Sequence, residues 1–258
     1  MSVYVETDNH KLLLDTGASD LFLRNAQILG VDLSEVDYVF ISHGHRDHIG
    51  GLPYFLQVND KAKVIVSPHA ITRKFVSRRG GLHDISLDFD LSGYAERMMF
   101  VHGDMSVDDE LRVFSNRSTR FNRPLANKTL FTFGKRVGLF PDPFNHELIL
   151  TLNTDNGFFV FTGCAHNGLL NILETVTTKY KRVPRWVMGG FHLLDSNDAN
   201  TFESEQEVNS IVDYLNNNYP DTQFLTGHCT GEEVYSYMKK RLELPMTRFY
   251  SGFTTQFI

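Results

Sequence analysis

Cysteine and long apolar runs are scarce in this sequence, and each shortage excludes a class of protein. Only two cysteines, Cys164 and Cys229, occur among 258 residues. Two thiols are too few for the disulfide framework of a small secreted domain, and we expect both to be reduced. No apolar run approaches the roughly 18 residues that a bilayer-spanning helix needs. A disulfide-stapled domain and a membrane-spanning protein are therefore not expected.

Positive charge is also in short supply. The chain has 25 Lys and Arg against 31 Asp and Glu, for a formal net charge of -6 at pH 7. This balance gives no general attraction to nucleic acid or to an anionic membrane. The first eight residues lack the basic segment and the apolar core of a secretory signal. We therefore expect a cytoplasmic protein whose partner is a small-molecule substrate, with no nucleic acid and no membrane involved.

The order of the predicted elements indicates the fold class. Hydrophobic residues make up 41% of the chain, which is enough to bury a core. The first 75 or so residues predict strand, strand, helix, strand, helix, strand, helix, and regular structure returns after about residue 145. Such alternation is typical of an α/β sandwich. Because no linker or repeat interrupts the pattern, we predict a single domain over residues 1–258.

The densest group of candidate metal ligands is the segment 43–48, which reads His-Gly-His-Arg-Asp-His. The apolar run 38–41 before it predicts a buried strand, and residues 42–51 predict a loop. Imidazole together with carboxylate suits zinc, iron or manganese. Two of the four side chains can face one metal ion, and the other two can reach a second ion. A solvated histidine-rich loop is the alternative, although this order is hard to obtain by chance. The predicted ligands here are His43, His45, Asp47 and His48.

Three later strands each end in a glycine-rich turn that contains a histidine: His166, His192 and His228. In an α/β sheet the loops at one end of the strands form the site, so several imidazoles are expected at one rim. We predict that His166 and His228 bind metal and that His192 contacts the substrate. His146, at the start of a predicted strand, is a weaker candidate.

The turn Asp15-Thr16-Gly17 also follows a predicted strand and has two interpretations. Aspartic proteases carry a similar turn, but they need two such aspartates that share a proton, and this chain has a single copy. We therefore favour a role for Asp15 in orienting the neighbouring histidine loop by hydrogen bonds, as carboxylates commonly do for metal-bound imidazoles.

Three arginines lie within seven residues of a predicted loop: Arg117, Arg120 and Arg123. A solvated surface loop is one interpretation of this group. The other is an anion clamp over the site, since arginine binds carboxylate and phosphate well. Both interpretations stay open from the sequence alone.

Taken together, these motifs resemble the metallo-β-lactamase superfamily over nearly the whole chain. The resemblance rests on Asp15-Thr16-Gly17, the segment 43–48, Gly163-Cys164 and Gly227-His228. The segments 162–166, 189–193 and 228–231 are similar to those of a branch named for dihydropterin-ribofuranosylaminobenzene-phosphate synthase.

The resemblance implies a four-layer αββα sandwich with a dinuclear metal site. It implies that His43, His45 and a third histidine hold the first ion, and that Asp47, His48 and His228 hold the second. Cys164 stands where many members have a bridging aspartate, so its place in the site is open. We assign the third ligand to His166, with His146 as the alternative.

The implied activity is hydrolysis by a water that two divalent ions, most simply zinc, activate at neutral pH. In this scheme Asp47 orients the water, and His192 with the arginines neutralises a small anionic, phosphorylated substrate. The alternatives are a lactone or thioester hydrolase, a di-iron protein that reduces oxygen, and a non-catalytic binding or sensing protein. His45 argues against the di-iron class, whose members carry glutamate there.

Overall fold

The computed structural model describes residues 1–133, 138–195 and 202–257. Its strands, labelled in chain order, are β1 (Val3–Glu6), β2 (Lys11–Leu14), β3 (Tyr38–Phe40), β4 (Lys63–Val66), β5 (Phe75–Ser77), β6 (His83–Asp84), β7 (Met98–Phe100), β8 (Met105–Ser106), β9 (Leu111–Ser115), β10 (Leu130–Phe133), β11 (Leu139–Pro141), β12 (Leu148–Thr154), β13 (Gly157–Thr162), β14 (Trp186–Gly189), β15 (Gln223–Thr226) and β16 (Met246–Arg248).

The α-helices alternate with these strands at both ends of the chain. They are α1 (Leu21–Leu29), α2 (Arg46–Ile49), α3 (Leu52–Val58), α4 (Pro68–Thr72), α5 (Leu169–Tyr180), α6 (Glu205–Asn218) and α7 (Glu232–Arg241). Short 3-10 helices lie at Leu33–Glu35, Ser92–Arg97 and Leu125–Thr129. No helix in these ranges is long and apolar enough to cross a lipid bilayer.

Two compact units make up the chain. The first unit contains Met1–Gly103 and Leu130–Leu148, and the second contains Asp104–Thr129 and Ile149–Ile258. Each unit has a sheet and a hydrophobic core of its own, so each is described by itself. Our prediction of a single domain over residues 1–258 stays a prediction.

The first unit is built on a five-stranded sheet in the order β1-β2-β3-β4-β7. The β1–β2 pair is antiparallel and the other pairs are parallel. Leu13, Val39 and Val64 from this sheet pack against Phe22 of α1 and Phe55 of α3 in one buried cluster. A second sheet, β11-β10-β5-β6, is antiparallel throughout. The carboxyl ends of β2 and β3 lead directly into the candidate site of this unit.

The second unit is built on a seven-stranded sheet in the order β16-β15-β14-β13-β12-β9-β8. The strands β13 to β16 are parallel neighbours, whereas β12 and β13 form an antiparallel hairpin. Val160 and Val187 pack against Leu173 of α5 and Val212 of α6 in the core. Since β13, β14 and β15 are parallel, the loops that follow them share one edge of the sheet.

Most of the predicted elements are present, and several begin or end within one or two residues of the prediction. Two predictions are wrong. Residues 42–51 are not all loop, because α2 (Arg46–Ile49) forms inside them, with Asp47 in its first turn where an acidic side chain favours helix. The closing strand lies at Met246–Arg248 rather than at 248–250. Met246 is buried in the core beside β15, while Tyr250 is 72% exposed.

Candidate metal centre

The histidine loop of the first unit follows β3 and is held by backbone bonds on both sides. Ile41 N–H donates to Ile65 O at 2.9 Å, and Leu148 N–H donates to Ser42 O at 2.7 Å. His43, His45 and His48 are buried, whereas the side chain of Asp47 is 52% exposed. A solvated histidine-rich loop, the alternative considered from the sequence, does not describe these imidazoles.

Asp15 connects the end of β2 to this loop through its whole carboxylate. Its Oδ1 accepts from Ser42 N at 2.7 Å, and its Oδ2 accepts from Ser42 Oγ at 2.7 Å and from His48 Nδ1 at 2.6 Å. Because the carboxylate only accepts, Nδ1 of His48 must carry a proton. The other ring nitrogen, Nε2, lies 3.4 Å from Asp47 Oδ2.

The same network sets the tautomer of His43. Ser42 Oγ has one proton, and the 2.7 Å contact to Asp15 uses it. Ser42 Oγ therefore accepts from His43 Nδ1, which lies 3.0 Å away. With its proton on Nδ1, neutral His43 carries the lone pair on Nε2. A metal ligand needs this arrangement, in which one nitrogen donates to the protein and the other is basic.

His45 is oriented from a different segment, residues 142–146. Gly44 N–H donates to His146 Nδ1 at 3.0 Å, so neutral His146 has its proton on Nε2. That Nε2 donates to the Asp142 carboxylate, with distances of 3.0 and 3.2 Å to its two oxygens. His45 Nε2 lies 3.4 Å from Asp142 Oδ2. His45 thus presents Nδ1 as its basic nitrogen, while both nitrogens of His146 are engaged.

The charges around these rings shift their pKa values in opposite directions. Burial lowers the pKa of His45, and the hydrogen bond to Asp142 opposes this only in part. Burial also lowers the pKa of His48, but Asp47 and Asp15 outweigh it and raise the value to about 9. Without a metal, a proton on Nε2 of His48 therefore lies between that ring and Asp47. Burial raises the pKa of Asp142, yet the hydrogen bonds from His146 and His45 leave it well below its usual range.

In the second unit, His166 occupies the loop between β13 and α5. Asn127 binds it twice, since Nδ2 donates to His166 O at 2.7 Å and Oδ1 lies 2.9 Å from His166 Nδ1. The amide oxygen can only accept, so Nδ1 of His166 is the donor and Nε2 is the basic nitrogen. The His166 ring packs edge-on against His192, with centroids 4.2 Å apart. His166 is thus prepared as a ligand in the same way as His43.

The remaining predicted residues of the second unit lie in three loops. His192 is buried and His228 is exposed, and both have left-handed backbone with φ values of 51° and 53°. The donor atoms of Cys164, His192 and Cys229 lie within 4.8 Å of one another. Burial raises the pKa of the Cys229 thiol, but hydrogen bonds with Cys164 and His192 outweigh it and bring the pKa well below its usual value.

Two of the three candidate substrate arginines are paired with carboxylates. Arg117 lies 3.3 Å from Asp104, and Arg120 lies 2.9 Å from Glu174. Arg123 instead donates to the Asn167 side-chain oxygen at 2.7 Å. The surface-loop interpretation therefore describes Arg117 and Arg120 as they stand, and their binding of a substrate stays a prediction.

Several residues of these networks were absent from our prediction. Ser42 and Cys229 adjoin predicted ligands, and their position next to a histidine was a usable signal. Asp142 lies directly after β11 and four residues before His146, the weaker candidate ligand, and this spacing could also have drawn attention. Asn127 had no signal, because an isolated asparagine in a loop is too common. Glu203 of the second unit was not predicted either. Burial raises the pKa of its carboxyl group, which accepts a hydrogen bond from Leu125 N at 2.6 Å.

The family follows from a comparison with known proteins. The sequence model of the metallo-beta-lactamase superfamily matches residues 1–205, and the chain belongs to that superfamily. A crystal structure of a metal-dependent hydrolase of the β-lactamase superfamily is similar over 98% of this chain and 93% of its own, with 27% identity and a TM-score of 0.79. The predicted resemblance and the α/β fold class are confirmed, and the fold is that of metal-dependent hydrolases.

Two curated proteins of Methanocaldococcus jannaschii are also similar. One, an uncharacterized protein, is 28% identical over 235 residues, which cover 89% of this chain and 83% of the relative. The other is named 7,8-dihydropterin-6-methyl-4-(beta-D-ribofuranosyl)-aminobenzene-5'-phosphate synthase. It is 21% identical over 272 residues, which cover 98% of this chain and 87% of the relative.

Proposed function

We propose that this protein is a metal-dependent hydrolase that acts on a small anionic, phosphorylated substrate. The observation that carries the proposal is the set of tautomers in the first unit. Hydrogen bonds to Ser42, Asp142 and Asp15 each use one nitrogen of a buried imidazole and turn the other into a base. Metal-bound histidines almost always donate their other ring N–H to a neighbouring acceptor in this way.

The residues fit divalent cations by their donor chemistry. The first unit offers His43 Nε2, His45 Nδ1 and His48 Nε2 with the Asp47 carboxylate, and the second offers His166 Nε2. Imidazole and carboxylate donors suit zinc best, and they also bind iron and manganese. We propose that these residues and His228 are the ligands of two divalent ions. When bound, the ions supply a water whose pKa is near 7 and a Lewis acid for the substrate oxygen.

The chain's own groups would then position the reactants. Asp47 is the most exposed of the predicted ligands in the first unit, which suits a carboxylate that also orients the attacking water. We assign to His192 and Arg123 the contacts with the substrate anion, because a charge-assisted hydrogen bond favours phosphate. Arg117 and Arg120 would first have to leave Asp104 and Glu174.

A phosphorylated small molecule is the substrate class that we favour. The name of the second relative contains a ribofuranosyl 5'-phosphate, which supports phosphate recognition in this branch. The formal net charge of -6 supports a small molecule over a long nucleic acid, which an acidic protein repels.

Metal content and turnover test the proposal together. We expect purified protein to bind two divalent ions and to hydrolyse at least one of four model substrates, a phosphodiester, a phosphomonoester, a lactone or a thioester. His48→Ala should lose one ion and most of the activity while remaining folded. His102→Ala removes an exposed histidine and serves as the matched control.

The outcomes separate the competing functions. Turnover of the lactone or thioester alone would keep the hydrolase class and reject the phosphorylated substrate. Two bound ions without any turnover would favour a binding or sensing protein. A His48→Ala variant that keeps both ions and full activity would overturn the assignment of the ligands.

A further inference from the structure

We propose that Cys164, His192 and Cys229 form a further binding site, for a thiophilic cation, in the second unit. Their donor atoms, two Sγ and one ring nitrogen, all lie within 4.8 Å of one another. The site goes beyond the proposed hydrolase, in which His192 contacts the substrate. His192 would have these two roles at different times, since an imidazole nitrogen that binds a cation cannot also bind a substrate.

Backbone bonds hold the three loops that carry these donors. The loops follow β13, β14 and β15, which are parallel neighbours in the sheet. Gly190 N–H donates to Gly163 O at 2.8 Å and so joins the first loop to the second. Phe191 N–H donates to Thr230 Oγ1 at 3.0 Å and joins the second to the third. The three loops are therefore fixed relative to one another before any ion binds.

Gly190 makes the close approach of Cys229 possible. A Cβ atom at Gly190 would lie 2.4 Å from Cys229 Sγ, nearer than any side chain tolerates. The absence of a side chain lets the thiol lie directly over the backbone of the second loop. Cys229 Sγ is also 3.8 Å from Cys164 O, so the two cysteines face the same small volume. Neither cysteine forms a disulfide.

His192 supplies a second, independent indication of a ligand. The residue is 5% exposed, and its backbone is held at a φ of 51°. Among the residues that the structure describes, neither ring nitrogen has an oxygen or nitrogen partner. The ring faces the two thiols and the edge-on His166 ring instead. The polar partner of this ring in the metal-free chain is the Cys229 thiol, and a cation that binds thiolate sulfur also accepts an imidazole nitrogen.

The donor set determines the kind of cation. Two thiolates and one imidazole select zinc, cadmium or copper(I) over magnesium or calcium. With Zn–S near 2.3 Å, tetrahedral geometry places two sulfurs about 3.8 Å apart. The observed limit of 4.8 Å then requires the donors to close by about 1 Å at most, which rotation of the cysteine side chains can supply. Three protein ligands also match the open zinc sites of enzymes.

Cadmium titration of the full metal-free chain tests the site, because thiolate-to-cadmium charge transfer absorbs in the ultraviolet and reports sulfur ligation directly. In the wild-type chain we expect the signal of two thiolates at saturation. Cys229→Ser should remove about half of this absorbance and weaken cadmium binding by about tenfold or more. His192→Ala should weaken binding while retaining the absorbance at saturation. His102→Ala should behave as the wild-type chain.

Cys229 is the diagnostic residue because it has no part in the proposed dinuclear centre. A Cys229→Ser titration that matches the wild type in both thiolate absorbance and cadmium affinity would overturn the site. The His48→Ala variant keeps the two proposals distinct. It should lose an ion of the dinuclear centre and retain the complete two-thiolate signal, whether or not the protein is a hydrolase.

Discussion

Each predicted ligand histidine of the first unit has one nitrogen whose hydrogen-bonding role is set by a carboxylate, either directly or, for His43, through the Ser42 hydroxyl. A carboxylate can only accept and a backbone N–H can only donate, so the tautomers follow without any reference to a metal. Asp15 fixes His48 directly and His43 through Ser42. The residue scale therefore already separates these buried, hydrogen-bonded rings from the exposed rings of His83 and His102.

We predict that metal loading releases a proton from His48. The pKa of this ring is raised to about 9, so at pH 7.5 the metal-free ring carries a proton that a cation must displace. Calorimetry in buffers of different ionisation enthalpy should count about one proton released per His48. His48→Ala should abolish that proton and His102→Ala should not. Loading without proton release in the wild type would contradict the assigned pKa.

The sequence allowed the ligands to be predicted, but not the residues that orient them. A histidine-rich segment directly after an apolar strand is recognisable in a sequence. Three later strands likewise end in a glycine-rich turn that contains a histidine. Asn127 and Asp142 act through tertiary contacts made 39 and 97 residues away, and no local spacing announces such a contact. Asp15 was predictable because its strand lies next to β3, so the turn after it faces the histidine loop.

At the scale of elements, the segment 142–146 holds the histidine loop in place by hydrogen bonds. Asp142 also accepts from Phe144 N–H at 2.9 Å, so its carboxylate is fixed by its own turn. The pair Asp142–His146 then holds both Gly44 and His45. Such outer partners typically contribute 10–100-fold to metal affinity by orienting the ligand.

We accordingly predict that Asp142→Asn weakens zinc binding by roughly 10–100-fold without unfolding the protein. The amide retains the shape of the carboxylate but cannot accept from two imidazoles with equal strength. Competition with a chromophoric chelator would measure the change. Asp88→Asn, at an exposed aspartate paired with Lys74, is the matched control. Unchanged affinity in Asp142→Asn would show that His45 does not depend on this carboxylate.

The junction of α2 and α3 packs against the turn that carries Asp15. A Cβ atom at Gly51 would lie 2.0 Å from Thr16 O, and Thr16 itself binds His48 O through its backbone N–H and its hydroxyl. The two glycines at 50–51 thus permit a close contact in addition to forming a turn. The sequence predicted the turn correctly, but it did not reveal α2, since four helical residues are too few to produce a period.

We predict that Gly51→Ala lowers the free energy of unfolding by about 1–3 kcal/mol, because the added methyl group forces the turn away from the helix junction. Urea denaturation would measure the loss. Gly93→Ala provides the control, since an added Cβ there has no heavy atom within 4 Å. If the two variants are equally stable, the contact between Gly51 and the turn is not as close as described.

At the scale of the whole molecule, metal binding and stability are linked through these same rings. Only the superfamily and the α/β class were secure from the sequence, because they rest on motifs distributed along most of the chain. The later strand ends were predicted from glycine and histidine, but β16 was placed too late, since Phe249 and Tyr250 are apolar without belonging to the strand. Aromatic residues at the surface mislead any prediction based on hydrophobicity.

Two histidines of the first unit should make the stability of the metal-free protein depend on pH. Burial lowers the pKa of His45, so its contribution is present above pH 6.5 and is lost as the pH falls below that value. The pKa of His48 is raised to about 9, so its contribution is complete below pH 6.5 and is lost as the pH rises through 9, a change on the order of 3 kcal/mol. In thermal unfolding of chelated protein, the wild type should lose stability relative to His48→Ala as the pH rises from 6.5 to 9. Zinc at a concentration of 100 times its dissociation constant should add about 2.7 kcal/mol to the free energy of unfolding. The apparent affinity should itself increase up to pH 9, because the cation no longer competes with the proton. If the stability difference between chelated wild type and chelated His48→Ala is the same at pH 6.5 and at pH 9, the His48 proton is not held by Asp15 and Asp47.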